Sequence, residues 1–337
     1  MPPTTSDEHF ATSIGLRTAD PEEPGIIRRR QGRGFSFRNP DGSVVTGKHR
    51  ERCEALVLPP AWDDVWICRH ADGHLQAMGT DDAGRRQYRY HDRWTEARSA
   101  WNFDRLVTVG EKLADVRRAV ERDLDSDDRW TRAMATMVGL LDRSLERIGN
   151  PTSVDVHGTR GISTLAPANV DVSRHAIRLA FTGKGGVEHD VTIIDEDLAG
   201  AIAELERESR EWLFAVDGEV LGAAAANEYL DRHSGGELDC KDIRTWGGSA
   251  AALTARASGS AEKEPEIADA AAAALHNTRT VARNSYVHPL VFEAPDDAVE
   301  DAWRQSRRSK WYGRGERALL NLLAESPSLV EQYTVAR

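Results

Sequence analysis

Asn277 and Tyr286 lie nine residues apart in a basic, β-branched segment that also contains Arg279, Thr280, Val281 and Arg283. Tyr286 is the residue to explain. A phenol, with a pKa of about 10, is a poor nucleophile at neutral pH. It reacts usefully where positive charge and preorganised donors stabilise both the phenolate and its target. Three further residues supply candidates for that environment. Arg147 is expected in the last turn of a helix, a position that favours a cation in any protein. Lys184 sits at a glycine-flanked hairpin tip, where a solvated turn lysine is the ordinary occupant. Arg244, within Lys241-Asp242-Ile243-Arg244-Thr245-Trp246, has an exposed helical ion pair as its ordinary role. Asn277 alone reads as a cap or turn residue, and Tyr286 alone as a core or interface tyrosine.

Together they match what phosphodiester transesterification requires. Two guanidiniums can hold the non-bridging oxygens of a phosphorane-like transition state through charge-assisted bonds. A mobile lysine can protonate the departing 5′-oxygen. The tyrosine attacks and keeps the phosphate as an ester, which stores the bond energy and removes any need for ATP. Gly183-Lys184 lacks the Gly-x-x-x-x-Gly-Lys-Ser/Thr frame, so it implies no nucleotide loop. His70, Asp72 and His74 have a metal-like spacing, but the Asp72-Gly73 hairpin explains it more cheaply. No cofactor or metal is expected.

The chain of 337 residues is long enough for two domains. Residues 1–25, rich in Pro, Thr, Asp and Glu, read as a disordered tail without a signal-peptide core. Residues 26–91 read as a small antiparallel β domain. Gly34-Phe35-Ser36-Phe37 and Ser43-Val44-Val45-Thr46 flank a turn, and Trp66-Ile67-Cys68 and Leu75-Gln76-Ala77 flank Ala71-Asp72-Gly73. Residues 92–337 read as a mostly helical catalytic domain with a small hairpin or sheet, giving an α+β protein. Met134, Met137, Val138, Leu141, Leu145 and Ile148 recur at helical spacing up to a stop at Gly149-Asn150-Pro151. Alternation through Ile177, Leu179 and Phe181 and away through Val187, His189, Val191 and Ile193 predicts a hairpin with Lys184 at its tip. Residues 198–212, 223–233, 243–257 and 267–275 read as helices.

Cys53, Cys68 and Cys240 are odd in number and far apart, which excludes a disulfide framework and fits a reducing cytoplasm. No apolar run approaches the roughly 20 residues of a membrane span. The net charge of −11 argues against a polyanionic partner until its distribution is considered. Eight basic residues lie between Arg28 and Arg52, and six between Arg304 and Arg317, while acidity gathers at 123–128 and 195–211. A basic stripe on an acidic protein can still bind phosphate.

Over residues 33–292 the sequence resembles the type IB DNA topoisomerases of the small bacterial and poxvirus kind. The resemblance rests on Pro59-Pro60-Ala61-Trp62-Asp63-Asp64-Val65-Trp66, Gly73-His74-Leu75-Gln76-Ala77 and Gly84-Arg85-Arg86-Gln87-Tyr88-Arg89-Tyr90-His91. It continues through Leu140-Leu141-Asp142, Arg147-Ile148-Gly149-Asn150, Phe181-Thr182-Gly183-Lys184, the Lys241–Trp246 run, Asn277-Thr278 and Ser285-Tyr286-Val287-His288-Pro289. It implies the topoisomerase IB and tyrosine recombinase catalytic fold, with Tyr286 as nucleophile, Arg147 and Arg244 on the phosphate, and Lys184 as general acid. Asn277 falls where other members carry histidine or asparagine and implies a hydrogen bond to a phosphate oxygen. The implied activity is relaxation of supercoiled duplex DNA through a 3′-phosphotyrosyl link, by a monomer that clamps the duplex in the cytoplasm at the nucleoid. Arg85, Arg86, Gln87, Tyr88, Tyr90 and Lys241 are the expected DNA contacts, although Tyr88 and Tyr90 at period two equally fit a buried strand face.

The chain also departs from that pattern. Ile162-Ser163-Thr164-Leu165-Ala166-Pro167-Ala168-Asn169 lacks the usual basic residues, His276 stands where glycine is usual, and Arg279 where proline is. His276 is placed to compete with Asn277 for the phosphate. Two alternatives stay open: a tyrosine recombinase-like strand transferase, and a non-catalytic DNA-binding protein of the same fold. Recombinases generally carry histidine three residues before the second arginine, where this chain has Lys241.

Overall fold

A computed structural model describes residues 5–208 and 211–335. The chain divides into two compact units, Met1–Asp104 with Ser328–Arg337, and Arg105–Pro327.

The first unit contains α1 (Thr5–Ser13), β1 (Ile26–Gln31), β2 (Gly34–Arg38), α2 (Gly47–Ala55), β3 (Asp63–Ile67), β4 (Leu75–Thr80), β5 (Arg86–Tyr90) and α3 (Asp92–Asp104). The strands form one antiparallel sheet in the order β2-β1-β3-β4-β5. Alternation along β3 divides its side chains between two cores. Val65 and Ile67 join Ile26, Phe37, Val45, Cys53 and Ala77, while Trp66 and Cys68 join Ala19 and Leu75. Leu75 and Ala77 serve opposite cores because the register shifts between them. Part of the basic stretch is consumed internally. Buried Arg28 donates to the carbonyls of Leu58, Pro59 and Trp62, and Arg52 donates to Gln76 Oε1 and the Cys68 carbonyl. Burial holds the Arg28 guanidinium below its ordinary value.

The tail expected to be disordered is instead packed from α1 onward; residues 1–4 lie outside the described residues. Ala11, Ile14 and Leu16 form a core with Trp94 and Ala97, against which Phe10 and Tyr333 pack. The chain's last described residues belong to the same unit. Asp104 accepts from Ser328 Oγ and from the amides of Leu329 and Val330, Arg93 donates to the Tyr333 carbonyl, and the Val335 amide donates to the Ser13 carbonyl. The boundaries therefore differ from those expected: α3 and the C-terminal segment lie outside the helical unit.

The second unit contains α4 (Leu106–Asp123), α5 (Arg129–Ser144), α6 (Pro151–His157), β6 (Val170–Val172), β7 (Ala176–Gly183), β8 (Val187–Ile194), α7 (Glu196–Glu208), β9 (Ala215–Val216), β10 (Glu219–Val220) and α8 (Ala223–Ser234). It continues with α9 (Cys240–Ala257), α10 (Glu264–Leu275), α11 (Arg279–Tyr286), α12 (Leu290–Glu293), α13 (Asp296–Gln305) and α14 (Arg314–Ala324). The expected hairpin is β7–β8, paired from Ala176↔Ile194 to Gly183↔Val187, with β6 alongside. The helices meet at buried anchors. A Cβ on Gly110 would lie 2.3 Å from the Trp246 ring, so α4 and α9 approach closely only because residue 110 is glycine. Trp246 Nε1 donates to Glu316 Oε1 at 2.9 Å, and Arg117 joins Asp142 and Glu316 at 2.8 and 2.7 Å. Burial alone would lower the Arg117 pKa, but the two carboxylates more than reverse it. Among the described residues no helix is long and apolar enough to cross a membrane.

Candidate active site

The site begins where α5 ends, earlier than the sequence period suggests. Leu145 adopts a left-handed conformation at φ 54° and its side chain fills the space beside Gly247, where a Cβ would lie 2.4 Å from Leu145 Cδ2. Packing against α9 therefore overrides the helical period, and Arg147 lies beyond the helix on an extended segment. The Ile162 amide pins its carbonyl at 2.9 Å, and the Ser163 amide pins that of Ile148 at 2.7 Å. Gly161 permits this approach, since a Cβ there would lie 2.4 Å from the Arg147 carbonyl oxygen.

The other groups come from α9 to α11. Asp239 caps α9, accepting from the amides of Lys241 and Asp242, while Asp242 accepts from the Asp239 amide at 3.0 Å. Arg244 and Gly248, four residues apart, share one face of this helix. Arg244 is 3% exposed, its Cζ lies 5.2 Å from the Tyr286 ring centroid, and its Nη2 donates to the Leu275 carbonyl at 3.3 Å. A Cβ on Gly248 would lie 3.1 Å from the Tyr286 carbonyl oxygen, and Ser249 Oγ donates to that oxygen at 3.1 Å. Ser249 also accepts from the His288 amide at 2.9 Å. Sequence reading missed this seat under the tyrosine; Gly247-Gly248-Ser249 inside a helical pattern was its signal.

The junction between α10 and α11 carries the amide. His276 ends α10 in a left-handed conformation at φ 51°, and the Asn277 amide donates back to the Ala272 carbonyl at 2.9 Å. Thr278 caps α11. Arg147 Nη2 donates to Asn277 Oδ1. Because a guanidinium can only donate, the amide must turn its oxygen to Arg147 and its Nδ2 away. Asn277 Nδ2, Arg244 Nε and Arg244 Nη1 are buried and have no hydrogen-bond partner among the described residues. Burial lowers the Arg244 pKa, partly opposed by the Tyr286 phenol and reinforced by the Arg147 charge. Arg279 and Arg283, by contrast, pair with Asp269 and Glu264 on α10.

Lys184 is exposed at the β7–β8 tip and makes no hydrogen bond or ion pair with a described residue, so the structure joins four of the five catalytic candidates and leaves the lysine apart. His276 contacts a carboxylate: its Nε2 lies 3.6 Å from Glu146 Oε1. Glu146 is 1% exposed and accepts from His189 Nδ1 at 2.7 Å. Glu146, His189 and His276 offer atoms within 4.8 Å of one another, a set able in principle to hold a metal ion. The 2.7 Å separation is that of a hydrogen bond, shorter than two ligands on one ion at roughly 2.0–2.1 Å each would normally adopt. This cluster went unread because an acid next to an arginine, Arg147, resembles a surface position.

Of the expected DNA contacts, Arg85 and Gln87 are tied to Asp81, at 2.9 Å each. Arg86, Tyr88 and Tyr90 share the exposed face of β5, and the two tyrosine rings stack with centroids 6.2 Å apart. The Lys241 side chain is exposed at the start of α9. Asn169, where basic residues were expected, is spent on the Ala166 amide and the Ala180 carbonyl.

The family description "Eukaryotic DNA topoisomerase I, catalytic core" matches residues 93–310, well over half of the chain. The chain belongs to the type IB DNA topoisomerase family. "Bacterial DNA topoisomerase IB, N-terminal domain" matches residues 34–81 of this topoisomerase. DNA topoisomerase 1B of Acanthamoeba polyphaga mimivirus is 29% identical over 291 residues, covering 80% of this chain and 87% of its own. Two solved structures of the XerH site-specific recombinase bound to difH substrates, post- and pre-cleavage, superpose with TM-scores of 0.36 and 0.37. They are 13% and 15% identical, over 52% and 53% of this chain and 47% and 49% of theirs. The enzyme is thus a type IB topoisomerase with an α+β architecture, as its motifs implied.

Proposed function

We propose that this topoisomerase relaxes supercoiled duplex DNA without ATP or metal, through a 3′-phosphotyrosyl intermediate on Tyr286. One observation carries the reading: Arg244, whose Nε and Nη1 are buried without a hydrogen-bond partner among the described residues, faces the Tyr286 ring, and Asn277, whose Nδ2 is likewise unpartnered, is held by Arg147. Unpartnered buried donors are costly, and a phosphodiester supplies the acceptors they lack. In the proposed step Tyr286 Oη bonds to phosphorus as the bond to the 5′-oxygen breaks. The phenolic proton passes to solvent, and Lys184 Nζ gives a proton to the departing oxygen. Arg147 and Arg244 bind the non-bridging oxygens, with Asn277 as a further donor. Rotation about the intact strand precedes the reverse step, in which the 5′-hydroxyl attacks and returns its proton to the lysine.

Arg86, Tyr88, Tyr90 and Lys241 extend the contact to the duplex in this reading, with Arg85 and Gln87 ordering the turn beside them. The enzyme acts as a monomer clamped on DNA in the cytoplasm, and the neutral Ala166–Asn169 stretch weakens binding without touching the chemistry. Incubation with supercoiled plasmid in EDTA tests the reading. Relaxation by the wild type and its loss in Tyr286→Phe, by at least about 10⁴-fold, are expected. No relaxation, or full activity in the variant, refutes it.

A further inference from the structure

Lys184 must hold its ammonium at one oxygen, yet neither its own contacts nor its loop fixes it. The three-residue loop Lys184-Gly185-Gly186 includes φ values of +81° and +75° at the glycines, and the last paired rung is Gly183↔Val187. The first fixed point behind the lysine is therefore Gly183. His189, two residues down the opposite strand from Val187, lies over that point. A Cβ on Gly183 would fall 2.3 Å from His189 Nε2, so the imidazole edge rests on the glycine backbone. The ring is held on two other sides. Phe181, its partner in register, stacks on it with centroids 4.9 Å apart and an interplanar angle of 5°. Glu146 Oε1 accepts from its Nδ1 at 2.7 Å, with both side chains almost fully buried.

Glu146 immediately precedes Arg147, whose carbonyl is anchored to the Ile162 amide. A continuous set of contacts thus runs from the phosphate-binding segment through Glu146 and His189 to the base of the lysine loop. His276, 32% exposed, closes the other side of Glu146. A glycine would relieve the left-handed backbone at residue 276, and a histidine there instead brings an imidazole against the carboxylate.

We propose that Glu146 and His189 are positioning residues for the Lys184 general acid. They touch neither substrate nor reacting atoms. They set where the hairpin tip stands relative to the segment that grips the phosphate. The inference rests on the proposed transesterification and refines the assignment of its proton donor.

A change of leaving group tests it. A 5′-bridging sulfur leaves as a thiolate and needs no proton, so a defect confined to the general acid disappears on that substrate. Single-turnover formation of the covalent adduct would be measured on matched oligonucleotides carrying oxygen or sulfur at the bridging position. Wild type, Lys184→Ala, Glu146→Gln and His189→Asn would be compared, with melting curves confirming folding. Glu146→Gln is expected to slow the oxygen substrate about 10-fold and the sulfur substrate by less than about twofold. His189→Asn keeps a donor towards Glu146 but removes the ring edge from Gly183, and its defect should have the same oxygen-only character.

Equal slowing on both substrates, or no slowing in either positioning variant, overturns the proposal. If either variant fails to fold, the other decides. If wild-type protein forms no adduct with either substrate, the transesterase reading itself fails. If Lys184→Ala is equally slow on both substrates, the lysine's role fails and takes the positioning role with it.

Discussion

Arg244 and Lys184 are cations assigned to one reaction, and their surroundings differ in nearly every respect. Arg244 is buried in the second turn of a capped helix of 18 residues, fixed by the Leu275 carbonyl and faced by the Tyr286 ring. Lys184 stands in solvent between glycines, with no partner of its own among the described residues. A group that stabilises charge works best when it is already in place and cannot relax away from the transition state. A group that surrenders and recovers a proton needs water access and a short range of travel. In the proposed reaction the rigid element binds and the loose one delivers.

The contrast fails most visibly if the buried cation tolerates replacement. Arg244→Lys keeps the charge but loses the planar fork, and adduct formation should fall about 10³-fold in a single-turnover assay. The exposed cation should behave differently. Lys184→Ala should slow cleavage of an ordinary substrate about 10²-fold while moving stability by less than about 0.5 kcal/mol in urea denaturation.

The helix that carries Arg244 has a sensitivity to pH. Burial, with the Asp239 charge beside it, pushes the Asp242 carboxyl up to about 6. A carboxyl raised on folding binds its proton more tightly in the native state, so this contribution is favourable at low pH and is lost as pH rises through about 6. Between pH 4 and 6.5 it should cost up to about 3 kcal/mol, and Asp242→Asn should flatten that part of the stability profile. The smallest effect belongs to the first unit. Arg86→Ala should weaken DNA binding a few-fold and lower the slope of log affinity against log salt by about 1.

Sequence reading recovered what periodicity and local turn chemistry control. The β7–β8 hairpin, the helices from α8 to α10 and the sheet of the first unit all declare themselves by alternation, by 3.6-residue spacing or by glycine turns. Of the five catalytic candidates, each chemically unusual only in combination, Arg147, Asn277, Arg244 and Tyr286 lie together, and Lys184 stands apart. The losses were tertiary. α2 is almost wholly polar, with only Cys53 buried, so it has no apolar stripe to read. The N-terminal helix is covered by Trp94, Ala97 and Tyr333, partners no local window contains. The break at Leu145 is imposed by Gly247, about a hundred residues away. Glu146 became interpretable only once His189 and His276 were beside it.

The return of the C-terminus to the first unit has a consequence for biosynthesis. The catalytic unit is one uninterrupted stretch, residues 105–327, whereas the other is split around it. On the ribosome residues 105–327 can complete their fold while the first unit still lacks Tyr333 and Val335. A premature stop codon shortly after residue 327 would therefore leave the second unit whole and damage the first.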